Sequence, residues 1–323
     1  MRFDAFPLGS IRIHLAAHGR DAWIDGEPDR HRKGKPSREM PRAFCEPAWL
    51  RLASMVMLAV VAMAACAAPT QHWSSELARE FACNVDRQIE PPAEEQAAYA
   101  RRLRAALSDI GLADLQPQHF LLVDRSPRVQ AGFIYWLTPG GEMLLVGAFP
   151  VATGEPGTFE HFATPLGVFE HSLANPDFRA EGTRNEYGIM GYGRVGTRVF
   201  DFGWIPAPKG WGNRAESEMR LQVHATDPQL LEPLLGRARS KGCIRIPAAV
   251  DEFMDRYGIL DADYEAATHG GRPSWVLRTD RETTRWPGRY LVVIDSERAN
   301  RPAWSPGPGL AMKQSPRPAQ CAR

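Results

Sequence analysis

Between residues 119 and 153 the sequence reads HFLLVD, AGFIYWL and EMLLVGAFPVAT, at 119–124, 131–137 and 142–153. Ser-Pro and Pro-Gly-Gly stand between these three apolar runs, and such residues favour turns. Short apolar runs that are bounded by turn residues predict β-strands. This segment therefore indicates a mainly β domain.

Outward from this segment, the sequence adds more strands and a few helices. Further strands are predicted at RVFDFGW (198–204), MRLQVHA (219–225), SWVLRT (274–279) and RYLVVID (289–295). Short helices are predicted at 227–236 and 247–258, where a proline lies at the start and a glycine at the end. Upstream, residues 93–110 carry apolar side chains at helical spacing. The predicted fold class is mainly β with a few short helices, plus an N-terminal linker and helical extension over 66–117.

Composition places the chain among ordinary globular proteins. The 323 residues are 44% hydrophobic and 24% charged, which excludes a wholly disordered or multi-span membrane protein. The net charge is +1, from 39 basic and 38 acidic residues, so nothing electrostatic supports nucleic-acid binding. Residues 298–323 have many prolines and little apolar content, and we expect this tail to be disordered.

The N-terminal region has the features of a targeting signal. LASMVMLAVVAMAA (52–65) is an uncharged run of 14 residues, whereas a membrane-spanning helix needs about 20. Arg42 and Arg51 precede the run and small residues follow it, which predicts a secretory signal over 40–65. The alternative is a buried core helix. Residues 1–39 fit poorly before such a signal, and we interpret them as a mis-called start or a disordered extension.

The cysteines fit export. Met63-Ala64-Ala65-Cys66 resembles the bacterial lipoprotein signal, in which the Cys is acylated; cleavage after a following alanine is the alternative. Of the five cysteines, Cys45 precedes the signal and Cys66 would be the lipid site, which leaves three in the folded part. An odd number in an oxidising compartment indicates an unpaired or reactive thiol. If Cys243 stays free, Cys83 and Cys321 can form one disulfide; two free thiols are the alternative.

The segment RSKGCIRIP (239–247) carries the chemistry. Gly242 permits a tight turn, and unpaired backbone N–H groups beside Cys243 could bind an oxyanion. Arg245 favours the thiolate by its charge, so we expect a depressed pKa for Cys243. A catalytic thiol also needs a base, and His224 precedes it in MRLQVHA (219–225). In a strand His224 shares a face with Arg220 and Gln222, away from the apolar residues and towards a groove or solvent.

These residues resemble the active-site signature of the L,D-transpeptidases, the YkuD-type catalytic domain. That family has a His at a strand end, 14 to 17 further residues, and then Ser/Thr-His-Gly-Cys. Here 15 residues separate His224 from Ser240-Lys241-Gly242-Cys243. Thr164-Pro165-Leu166-Gly167-Val168-Phe169 is similar to a second segment of the family, and the resemblance covers roughly 118–260. We therefore assign the catalytic domain to 118–297.

The resemblance implies a β-rich fold, export to the cell wall and a two-step acyl transfer on peptidoglycan stem peptides. Cys243 would attack the third residue of a tetrapeptide, D-alanine would leave, and an amine or water would accept the acyl group. His224 would be the base. Ser240 would hold the turn or the His, and the N–H groups of Gly242 and Cys243 would stabilise the oxyanion.

Substrate binding is expected from three more residues. Arg245 would orient the loop or bind a stem carboxylate. Lys241 replaces the usual His of the motif, and its charge is expected to favour the thiolate. Tyr192 is expected to line the substrate cleft. The other histidines form no metal-ligand spacing, so we predict neither a metal nor a cofactor.

Three functions remain open at this point. The first is an exported L,D-transpeptidase of the periplasm or cell envelope, whose partners are stem peptides and a wall-attached lipoprotein. Its only membrane contact would be the lipid on Cys66. The second is a hydrolase on the same scaffold, either an L,D-carboxypeptidase or an enzyme that cuts a link between wall and lipoprotein. The third is a non-enzymatic wall-binding lipoprotein.

Overall fold

The computed structural model describes residues 76–305 and Cys321. This part contains helix α1 over 76–84 and helices α2 (Ala93–Asp109), α3 (Ala248–Tyr257) and α4 (Ala262–His269). Its strands are β1 (Gln118–Asp124), β2 (Ala131–Leu137), β3 (Met143–Pro150), β4 (Gly167–Glu170), β5 (Phe178–Arg179), β6 (Arg198–Pro208), β7 (Glu216–Ala225), β8 (Ile244–Ile246) and β9 (Tyr290–Ile294). The mainly β prediction is confirmed.

Several predictions lie outside the described residues: the 1–39 extension, the signal over 40–65 and the lipid site Cys66. Within the described ranges, no helix is long and apolar enough to cross a membrane.

The first sheet has the strand order β3-β2-β1-β9-β4. β1 is antiparallel to β2 and parallel to β9. Every residue of β1 and β2 is buried, because α2 covers one face of this sheet and the second sheet covers the other. Tyr99, Leu103 and Leu107 form the contact face of α2. Burial on both faces explains why these strands are continuous apolar runs.

The second sheet has the order β5-β6-β7-β8 and carries the site. Its inner face packs against the first sheet in one core, to which β1 contributes Leu121 and β7 contributes Leu221 and Val223. β7 and β8 are parallel, with His224 opposite Arg245. Because Cys243 immediately precedes β8, this register brings the cysteine beside the C-terminal half of β7.

Two predicted elements are wrong. Residues 274–279 form turns rather than a strand; Val276 and Leu277 are buried against Tyr264 in a small separate cluster. The predicted helix at 227–236 is a turn followed by a short 3₁₀ segment, Glu232–Leu234. Asp227 is responsible, because its side chain accepts the backbone N–H groups of the two residues that follow Pro228 and holds them in a turn.

The start of the C-terminal tail packs on the domain, so the expectation of disorder is wrong for residues 298–305. The Trp304 ring contacts Tyr99 and Phe133, with ring centroids 5.8 and 6.1 Å away. Ser305 Oγ donates a hydrogen bond to the Val129 carbonyl at 2.7 Å. Further along, Cys321 forms a disulfide with Cys83, and their Cα atoms are 5.5 Å apart.

Candidate active site

The loop that carries Cys243 is held by its own side chains. Ser240 Oγ donates to the Cys243 carbonyl at 2.5 Å and accepts the Gly242 N–H at 3.1 Å. Gly242 has φ +138°, and a Cβ there would lie 2.8 Å from the Met219 Cε. Glycine is therefore required at this position by both the backbone conformation and the space. Ser240 itself is buried, so its two hydrogen bonds are shielded from water.

A second pair of hydrogen bonds joins this loop to residues 154–164. Thr164 Oγ1 donates to the Gly242 carbonyl at 2.6 Å and accepts the Gly154 N–H at 2.8 Å. A Cβ at Gly154 would lie 2.0 Å from the Phe162 carbonyl oxygen, so these two backbone segments approach each other as closely as glycine allows. Thr164 lies in a segment that resembles the family named above, but its sequence position alone predicted no role for it.

Cys243 is a free thiol and is partly buried. Its Sγ lies 3.5 Å from the Arg220 carbonyl oxygen and 4.0 Å from Gln222 Oε1. Burial raises the pKa of the thiol, and the Asp201 charge raises it further, while the charge of Arg245 lowers it. The balance is a raised pKa, so the expectation of a depressed one is wrong. Cys243 is therefore a protonated thiol at neutral pH.

His224 is buried rather than open to a groove or solvent, with only 4% of it exposed. Its Nδ1 lies 2.5 Å from the Ala225 carbonyl oxygen. A carbonyl can only accept, so Nδ1 carries the proton and Nε2 has the lone pair. Burial, aided by the charge of Arg245, lowers the pKa of His224 to about 4. His224 is therefore a neutral imidazole. Cys243 Sγ has hydrogen-bond partners in the described chain, but His224 is not one of them.

Tyr192 covers His224. The two rings meet edge to face with centroids 4.7 Å apart, and the phenol donates to Gln222 Oε1 at 3.0 Å. The pKa of Tyr192 is raised by burial and then by the charges of Cys243 and Asp201. Tyr192 thus lies beside both the cysteine and the histidine.

Asp201 and Arg220 extend this network. The sequence placed Arg220 on the same strand face as His224 but gave it no role, and it did not point to Asp201. Asp201 is fully buried, and its Oδ2 accepts hydrogen bonds from Arg220 Nε and from Gln222 Nε2, both at 2.7 Å. Both residues lie inside strands that appear ordinary in sequence. A bulge in β6 between Asp201 and Trp204 aligns them, and Gly203 at φ +84° provides that bulge. Asp201 showed no sequence signal beyond an acidic group in a strand next to that of Arg220.

A family model described as the L,D-transpeptidase catalytic domain, YkuD, matches residues 118–263. This domain belongs to the L,D-transpeptidase family. The match begins at the first residue of β1 and ends within α4, so it contains both His224 and Cys243. No curated protein matches the chain. The family implies an L,D-transpeptidase-type enzyme with a peptidoglycan-related function.

Two other groups of the L,D-transpeptidase domain differ from expectation. The Gly242 N–H is occupied by Ser240 Oγ, so of the two expected oxyanion donors only the Cys243 N–H remains a candidate. The Lys241 ammonium pairs with Glu160 at 2.9 Å on the exposed surface, and the charges that act on the pKa of Cys243 are those of Arg245 and Asp201.

The Arg245 side chain forms a hydrogen bond within the segment that carries Cys243. Its Nη1 donates to the Arg239 carbonyl at 3.1 Å, and its backbone bridges to Ala152. No group of three or more His, Cys, Asp or Glu residues that could hold a metal ion occurs within 76–305.

Proposed function

We propose that this protein is an exported L,D-transpeptidase that acts on peptidoglycan stem peptides through a thioester at Cys243. The observation that carries the proposal is a free thiol at the end of a tied loop, beside the strand that holds His224. The family match of the domain gives the reaction class. The geometry supports the choice of Cys243 and His224 as the groups that take part.

In the first step, substrate binding would bring the Cys243 thiol within reach of His224 Nε2. Catalytic hydrogen bonds are often long in the free enzyme and tighten in the substrate complex. Nε2 takes the thiol proton, and Sγ forms a bond to the carbonyl carbon of the third stem residue. The Cys243 N–H is the donor we assign to the oxyanion. The amide C–N bond then breaks, and the D-alanine amine leaves with the proton from His224.

In the second step, an acceptor takes the acyl group from Cys243. An amine or a water molecule gives one proton to His224 Nε2 and attacks the thioester carbonyl. The C–S bond breaks, and the thiol regains its proton. An amine acceptor produces a cross-link or a link to a lipoprotein, whereas water produces a tripeptide.

Export belongs to the proposal. The predicted signal over 40–65 and the lipid site Cys66 would place the domain in the periplasm or cell envelope. The disulfide between Cys83 and Cys321 supports an oxidising compartment, because cytosolic thiols are kept reduced.

The test is to incubate the purified protein with a disaccharide-tetrapeptide and to identify the products by mass spectrometry. A dimer linked between two third residues supports the transpeptidase, and Cys243→Ala should make none. A tripeptide as the only product supports the carboxypeptidase instead. Unchanged substrate with a folded wild-type protein contradicts both enzymes.

A further inference from the structure

Arg220 lies beside Cys243 and has no role in the reaction proposed above. Its backbone carbonyl lies 3.5 Å from the Cys243 Sγ. Its side chain is 42% exposed, unlike the buried His224 on the same strand. Residues 220, 222 and 224 alternate with the core residues of β7, so their side chains leave the same face of the strand. The guanidinium group therefore stands on the face of β7 that carries the proposed base.

Asp201 fixes this guanidinium in place. The carboxylate accepts Arg220 Nε and Gln222 Nε2 at Oδ2, and it accepts the Gly203 N–H at Oδ1 at 2.8 Å. Three donors on a fully buried carboxylate satisfy it and restrict its movement. The Nε of Arg220 is thus occupied by Asp201, and this hydrogen bond fixes the position of the two Nη groups.

The two Nη groups of Arg220 are left for a ligand. Of the residues described by the structure, Asp201 is the only acceptor of an Arg220 side-chain hydrogen bond, and it takes Nε alone. Trp204 is the cross-strand partner of Arg220 and is 62% exposed, which puts an open aromatic wall next to these donors. Gln222 links these groups, because its Oε1 accepts the Tyr192 phenol and its Nε2 donates to the Asp201 carboxylate that holds Arg220.

We propose that Arg220 is a carboxylate-binding residue of this site, and that it takes the terminal carboxylate of the amino acid that leaves in the first step. The choice of ligand rests on the proposed function. The chemistry fits because the leaving residue of a tetrapeptide carries its free carboxylate one carbon beyond the scissile nitrogen. A planar guanidinium with free Nη groups binds a carboxylate through parallel hydrogen bonds. Arg245, the sequence-based candidate for this role, donates to a backbone carbonyl instead.

One test needs no turnover. Iodoacetate and iodoacetamide have similar size, and in both reactions the Cys243 thiolate bonds to the CH₂ carbon and displaces iodide. The ratio of their rate constants therefore cancels any change in thiolate fraction. We expect Arg220→Met to lower the iodoacetate-to-iodoacetamide ratio about threefold at low salt, a modest factor because the arginine is partly exposed. Lys241→Met is the matched control, since it removes the same charge two residues from the nucleophile, and it should leave the ratio unchanged. An unchanged ratio in Arg220→Met, or an equal fall in both variants, overturns the anion site.

A second test identifies the ligand. A tetrapeptide with a free terminal carboxylate is compared with the same peptide as its C-terminal amide. We expect wild-type kcat/KM to favour the acid by about tenfold, which corresponds to one charge-assisted contact. Arg220→Met should abolish that preference, and Arg220→Lys should restore part of it by its charge. Equal use of both peptides by the wild type overturns the ligand assignment. If neither peptide reacts while the alkylation ratio behaves as expected, the proposed function fails and the anion site stands.

Discussion

The Thr164 hydroxyl ties the nucleophile loop to the rest of the domain, and Thr164→Val removes it at nearly constant shape. Oγ1 makes two hydrogen bonds, one to the Gly242 carbonyl and one from the Gly154 N–H, at 2.6 and 2.8 Å. Thr164 is 1% exposed, so valine leaves two backbone groups unpaired away from water. Each such group costs about 1–3 kcal/mol. We expect a loss of about 2–6 kcal/mol in the free energy of unfolding. For a domain of this size this lowers Tm by roughly 4–24 °C.

The assay is thermal and denaturant unfolding of purified wild type and variants, with iodoacetamide reactivity of Cys243 as a second readout. Thr226→Val is the matched control. Thr226 is fully buried, and its hydroxyl has no hydrogen-bond partner within the described residues. Removing an unpaired buried hydroxyl is neutral or stabilising. Equal stability changes in the two variants, or a Thr164→Val protein as stable as wild type, would refute the reasoning.

Three further predictions concern charge at the site. Arg245→Met should move the pH profile of Cys243 alkylation to higher pH, because the arginine charge lowers the pKa of the thiol; a profile that stays in place contradicts this. Lys241→Met should leave that profile unchanged, because the ammonium pairs with Glu160 at the surface; a shift would restore the sequence-based expectation. His224 should titrate near pH 4 by NMR, since burial lowers its pKa. Its contribution to stability should then be complete above about pH 6.5 and be lost as the pH falls towards 4, which denaturant midpoints can measure.

The strands of the first sheet could be predicted because their environment is uniform. HFLLVD and AGFIYWL are buried on both faces, so every position is apolar and the pattern needs no knowledge of neighbours. SWVLRT (274–279) has a similar pattern, but none of the strands within 76–305 pairs with it, and its Trp275 is 75% exposed. A strand exists only where another edge pairs with it. This pairing depends on the whole fold and is not visible in a six-residue window.

The features of the site also differ in how far the sequence predicts them. The sequence names His224 and Cys243 as the candidate pair, because both lie at strand ends in a recognisable local pattern, and the register of β7 and β8 brings the two segments together. The pairing of Asp201 with Arg220 could not be predicted, since a β-bulge sets which residues of β6 and β7 face each other. The direction of the Cys243 pKa shift could not be predicted from the sequence either. Sequence shows the nearby Arg245 charge, whereas burial, which has the larger effect, appears only in the folded chain.

The central claim is that Cys243 forms the acyl-enzyme, and intact-protein mass spectrometry tests it most directly. The protein is incubated with a carbapenem, a strained acyl donor, and then digested to locate any adduct. The account predicts one added carbapenem mass on the wild type, located on the peptide that contains Cys243, and none on Cys243→Ala. An adduct of equal amount on both proteins, or no adduct on a folded wild type, would contradict it.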